Sequence, residues 1–297
     1  MDLTSDSFVF IWLGWFGVSL AGLVIWFYRS RGGRRAFQGA PEQRHRLGGL
    51  DVLFVVMVYF VTLSIRELFL RGEDLESAGY LDKAYLGLLA GQLCAAGVII
   101  YVGRRRFAGG LGGFGLSLKR PGRTMGQTVV YFVMVSGLTL ITLQVTLLIC
   151  KAVGFEEVQK HETLQRLMDH PPWRSTALLV VTAVIGAPLM EELLFRGIIQ
   201  TYLIRFFGGT VGPMKPTSLY GTDEVWANPA AGYRWLGILI TGVLFATTHA
   251  DWQHQPALLV LGVCLGYIYE RRRNLLIPIL VHGLFNLIPV LGVLAGG

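Results

Sequence analysis

Charge is scarce in this sequence. Asp, Glu, Lys and Arg make up 15% of its 297 residues, where a soluble globular chain carries about a quarter. With 53% hydrophobic residues and a mean hydropathy of +0.53, the chain has too little polar surface to cover a core in water. The same figures exclude a disordered or collagen-like chain. Cysteine is equally sparse: Cys94, Cys150 and Cys264 lie far apart, each inside an apolar run. That spacing excludes a disulfide-stapled module and a thiolate metal site, and the three read as small core residues. Several catalytic signatures are missing as well. No HExxH pattern points to a soluble-type zinc protease, and no GxSxG pattern points to a serine hydrolase. The glycine run GGLGGFG at 109–115 lacks the Lys-Ser/Thr ending of a phosphate loop and reads as a flexible connector.

What is present is a series of long apolar runs. A helix needs about 20 mostly apolar residues to cross the hydrocarbon core, and eight stretches meet or approach that length: 8–28, 51–70, 84–102, 127–150, 175–205, 235–250, 256–270 and 275–294. The expected fold is therefore all-α, a polytopic membrane bundle of about eight transmembrane helices. Residues 1–150 would hold four of them, and 151–297 the other four with an inner loop at 206–234. The first run follows MDLTSDS, which has no basic segment, and its apolar core is too long for a signal peptide; it is expected to remain as an anchor.

Basic residues outnumber acidic ones, 26 to 19, for a formal charge of +7. On a soluble protein this would suggest nucleic acid, but here the charges fall in the connections. Segment 29–50 carries Arg29, Arg31, Arg34, Arg35, Arg44 and Arg46 against Glu42. Segment 103–126 carries Arg104, Arg105, Arg106, Lys119, Arg120 and Arg123 with no acid. The turn after the seventh span reads Glu270-Arg271-Arg272-Arg273, whereas 71–83 is net acidic. With eight helices, all basic loops fall on one side if both termini are outside. The expected localisation is a multi-pass integral membrane protein of the plasma (inner) membrane, in contact with the lipid bilayer and with no nucleic-acid partner. Residues 155–170 have apolar positions at helical spacing among charges and suggest an amphipathic surface helix.

An ionisable side chain at membrane depth costs on the order of 2.5–3.5 kcal/mol, so the polar residues inside the apolar runs are the informative ones. In AVIGAPLMEELLFRGIIQ, Glu192 and Arg196 share a helix face at i, i+4 and can neutralise each other, while Glu191 points about 100° away and stays free. Pro188 is expected to kink the helix just before them. In LITGVLFATTHAD, Phe245 and His249 are one turn apart, so the ring can hold the imidazole. In LVHGLFNLIP, His282 and Asn286 face the same side. The span boundaries put Glu191 and His282 toward the inner face and His249 toward the outer, so a tilt, a kink or a later start of the sixth helix is required to gather them.

One free carboxylate, two imidazoles and one amide match the roles needed for amide hydrolysis. A carboxylate, with or without a His, deprotonates water, and the remaining donors meet the developing oxyanion. Glu191, His249 and His282 could equally hold Zn2+. Two readings from other classes use the same residues: a non-catalytic immunity or scaffold protein, and a proton-coupled transporter. The transporter reading lacks the internal repeats expected of such folds.

The ordered triple EELLFR at 191–196, FATTH at 245–249 and HGLFN at 282–286 resembles the CPBP family, which comprises CAAX prenyl endopeptidases and bacteriocin-processing or self-immunity proteins. The match covers about 175–290. The resemblance implies an intramembrane endopeptidase acting on a membrane-associated protein or peptide from a cavity open to the cytoplasm. By motif position Glu191 would activate water with His249, and His282 and Asn286 would stabilise the oxyanion. Glu192 and Arg196 would be structural support. The loop 206–234 is longer than is usual in the family and reads as an insertion near the cavity mouth.

Overall fold

A computed structural model describes residues 5–72, 79–155, 172–208, 225–227, 229–249 and 251–296. Among the described residues eight long helices follow in order: α1 Ser5–Arg29, α2 Gly49–Leu70, α3 Tyr80–Arg106, α4 Pro121–Ala152, α5 Trp173–Gly208, α6 Ala231–Thr247, α7 Gln255–Arg272 and α8 Leu276–Gly296. Each contains most of one apolar run. Five of them, α2, α3, α4, α5 and α8, are long and apolar enough to cross a membrane. The chain is a polytopic helical membrane protein. The amphipathic segment 155–170 lies outside the described residues apart from Phe155, and so does most of the loop 206–234.

Local chemistry sets the helix ends. Pro121 opens α4 and Pro256 opens α7, where a missing N–H costs nothing. The Asp51 carboxylate accepts the Gly48 N–H at 2.9 Å at the start of α2. It also meets the Arg106 guanidinium, 2.8 Å away, at the end of α3, so one acid ties two helix ends together.

The arginine-rich connections converge on one end of the bundle. Within 29–50 a strand, β1 Gln43–His45, pairs antiparallel with β2 Val225–Ala227 in the register Gln43↔Ala227, and His45 also bridges to Phe107. Arg46 N–H donates to Arg106 O at 2.7 Å, and Leu275 N–H to Gly115 O at 2.9 Å. Three connections that look unrelated in sequence are thus stitched into one cap. No period-2 pattern in the sequence announces this strand pair, each strand being three residues long. Part of the inner loop is in the cap, since β2 belongs to it.

The fifth helix does not break at Pro188. Its backbone widens instead into two π-helical stretches, Thr182–Gly186 and Leu193–Gln200, on either side of the α-helical turn Ala187–Glu192. Widening of this kind relieves the clash between a proline ring and the preceding turn, and it is frequent at functional sites. Glu191, Glu192 and Arg196 lie at and just beyond the junction of the two stretches. The main apolar core, with Leu193, Leu194, Phe195, Ile198, Phe245, Leu261, Leu265 and Val281 all buried, closes round them.

Candidate active site

Three helices, α5, α6 and α8, meet at Phe245. The ring is fully buried, with its centroid 5.1 Å from the His249 imidazole and 5.6 Å from that of His282. Phe195 packs edge-on against it at 5.4 Å. The Arg196 guanidinium lies over its face, 4.6 Å from the centroid. The approach of His249 to His282 is through one shared aromatic ring. It does not come from a later start of the sixth helix, since α6 begins at Ala231, earlier than expected.

Arg196 and Glu192 are both 0% exposed and form the ion pair that their spacing predicts, at 3.0 Å. Arg196 also donates to the Gly262 carbonyl on α7 at 3.2 Å. Glu192 has a second partner that the sequence did not announce. Its Oε1 lies 3.0 Å from Nδ1 of the buried His282. With Glu192 Oε1 as the acceptor, Nδ1 is the donor and Nε2 faces the other way. There it meets Glu191, whose Oε2 is 3.9 Å distant, beyond hydrogen-bonding reach. Glu191 remains the free carboxylate, with a side chain 19% exposed. Tyr59 of α2, half-buried against the core, lies within electrostatic range of it.

His249 follows directly after α6. Its Nδ1 is 3.0 Å from the Phe245 carbonyl and 3.4 Å from the Thr248 hydroxyl, and its own carbonyl accepts from Gln255 at 3.1 Å. The ring is fixed by its own helix end, leaving Nε2 for the site. Asn286 has a backbone partner on α5. Its amide donates to the Ala183 carbonyl at 2.9 Å. In the π-helical pairing of that stretch the donor for Ala183 would be residue 188, a proline without an N–H. Asn286 fills the gap left by Pro188. Gly283 lets α8 come this close: a Cβ there would stand 2.6 Å from the Val184 carbonyl.

The zinc alternative can be tested on the donors. Among the described residues no three His, Cys, Asp or Glu side chains are gathered so as to hold a metal ion. No step is derived through a metal.

A multi-pass helical bundle with a carboxylate, two fixed imidazoles and a buried ion pair at membrane depth defines a class, a membrane protein with a built polar centre. The comparisons narrow it. Residues 172–288 match the family model described as type II CAAX prenyl endopeptidase Rce1-like, so this stretch is similar to that family. All the motif residues fall within it. The chain is 26% identical over 128 residues to the protein named "Putative membrane peptidase YdiL" of Bacillus subtilis (strain 168), covering 43% of this chain and 41% of that one. It is 30% identical over 108 residues to the "Uncharacterized 24.3 kDa protein" of Escherichia coli, covering 35% and 39% respectively. The chain thus spans about two-fifths of the length of these curated relatives. No solved structure matches it.

Proposed function

We propose that the protein is an intramembrane endopeptidase that hydrolyses a peptide bond in a membrane-associated protein or peptide, with the basic cap facing the cytoplasm and both termini outside. The observation that carries this reading is the free Glu191. It stands beside a His282 pinned by the neutralised Glu192–Arg196 pair. A structural ion pair has no need of a second carboxylate at membrane depth, where each ionised group is costly.

In this mechanism Glu191 takes a proton from water, and His249, turned by its bond to the Phe245 carbonyl, orients that water through Nε2. Glu192 holds His282 through Nδ1. With Nδ1 so held, His282 turns its Nε2 edge toward the oxyanion. The Asn286 amide has two N–H groups; one serves Ala183 and the other is available to the same oxyanion. Proton return to the leaving amine comes from Glu191.

The test is purified protein in liposomes, incubated with a library of membrane-proximal peptides and read by mass spectrometry. Cleavage by the wild type and its loss in both Glu191→Gln and His249→Ala is the expected result. Cleavage that persists in both variants would falsify the mechanism. A wild type that cleaves nothing while still conferring a cellular phenotype would favour the immunity or scaffold reading.

A further inference from the structure

The catalytic cluster is not the only buried polar assembly. From Arg196 a ladder runs along the α5–α7 seam toward the basic cap: Arg196 donates to Gly262 O, and Gln200 donates to Gly266 O at 3.0 Å. Glu270 comes one turn further, eight residues and about 12 Å along α7 from Gly262 at 1.5 Å per residue. It is fully buried, although its place beside three arginines suggests an exposed loop acid. Arg273 grips both its oxygens, at 2.6 and 2.7 Å, and Arg234 lies 3.8 Å away. Arg273, in a left-handed backbone conformation (φ 50°), also donates to Gln43 of β1 at 2.7 Å.

Gln43, Glu270 and Arg273 line a small cleft beside the strand pair. Its walls include Gln43, His45, Thr201, Glu270 and Arg273, with Pro229 beside them, and the space between them opens to solvent. Three features point to an anion. The Arg273 side chain is 9% exposed, and its Nε is a buried donor with no partner among the described residues. Glu270 is the one carboxylate among the described residues of the lining, and arginines already engage it. Arg205 has no carboxylate partner among the described residues and spends one nitrogen on the Leu47 carbonyl. The positive potential is felt by His45: burial, then Arg205 and Arg273, depress its pKa to about 3.

We propose that this cleft binds a phosphate oxyanion at the basic end of the bundle, with Arg273 Nε as the waiting donor and Arg205 as the second charge. Guanidinium donors in a fixed fork suit phosphate oxygens. The phosphate can come from an anionic lipid headgroup, since the site lies at helix ends on the basic face, or from solution. This site is independent of the peptidase reading and does not require cleavage.

The full-length protein in detergent supplies the test. Inorganic phosphate is titrated at constant ionic strength against chloride while the unfolding temperature is followed. Phosphatidylglycerol is compared with phosphatidylcholine by native mass spectrometry. Binding in both arms, or in the lipid arm alone, assigns the headgroup; binding of inorganic phosphate alone assigns the free anion. Arg273→Gln should weaken binding about tenfold, the effect of losing one charge-assisted hydrogen bond. Glu270→Gln should tighten it, because a competing carboxylate is gone. Damage to the fold cannot mimic that gain. Binding in neither arm, or equal affinity in wild type and both variants, overturns the proposal.

Discussion

Replacing Arg196 with alanine removes three interactions at once. It breaks the 3.0 Å pair with Glu192, the 3.2 Å bond to the Gly262 carbonyl and the stacking on Phe245. Both members of the pair are 0% exposed, so solvent cannot take over. Glu192 would be left as a buried carboxylate whose remaining partner is His282. Breaking a buried pair by deleting one partner costs about 3–5 kcal/mol, a large part of the stability of most domains. The design that isolates the charge is a cycle of Arg196→Ala, Glu192→Gln and the double variant Glu192→Gln/Arg196→Ala. In the double variant no charge is stranded, and the amide carbonyl introduced by Glu192→Gln can still accept from His282. Reversible unfolding in mixed micelles should show a loss of about 3–5 kcal/mol for the alanine variant and recovery of most of it in the double variant. An alanine variant as stable as wild type would refute the pairing. A double variant no better than the alanine would show that packing on Phe245, and not charge, sets the cost.

The remaining predictions concern neighbouring parts of the same assembly. Gly283→Ala should destabilise α8 against α5, because the new methyl meets the Val184 backbone at 2.6 Å and backbone cannot swing aside; unchanged unfolding would contradict the close approach. Asn286→Ala should lower both stability, by about 1–3 kcal/mol for the unsatisfied Ala183 carbonyl, and the cleavage rate; a loss of rate alone would mean the bond to Ala183 is dispensable. His45 gives a pH dependence with a definite sign. Held neutral to about pH 3 in the fold against about 6.5 unfolded, it favours the unfolded chain as pH falls below 6.5. The cost at pH 5 is about 2 kcal/mol, and His45→Asn should remove that part of the acid sensitivity. In the metal-free mechanism proposed above, chelation followed by zinc add-back leaves peptide cleavage unchanged; restoration of a lost activity by zinc would reinstate the metal.

Much of the membrane fold was legible because its signals are local. An apolar run either spans or does not, and each of the eight runs lies largely within one helix. The Glu192–Arg196 pair was legible for the same reason, since i, i+4 spacing alone brings the groups together. So was the Phe245–His249 contact. What was not legible depends on contacts across helices. Nothing in EELLFR says that Glu192 will reach His282 ninety residues on, and the role read for Asn286 overlooked the carbonyl that Pro188 leaves bare. The π-helical widening of α5 is a tertiary accommodation with no periodic signature. Glu270 was read with the loop charges because it adjoins three arginines; the fold instead buries it and makes it the centre of the cap. The strand Gln43–His45 carries no apolar alternation and pairs with a segment nearly two hundred residues away.

The central claim is that Glu191 is the base of a membrane peptidase. The most direct measurement is the cleavage rate of Glu191→Gln in liposomes, made beside its unfolding curve. Among the described residues Glu191 has no hydrogen bond to lose, and it is 19% exposed, so the account predicts unaltered stability with cleavage reduced to background. A Glu191→Gln protein that cleaves at the wild-type rate would contradict it.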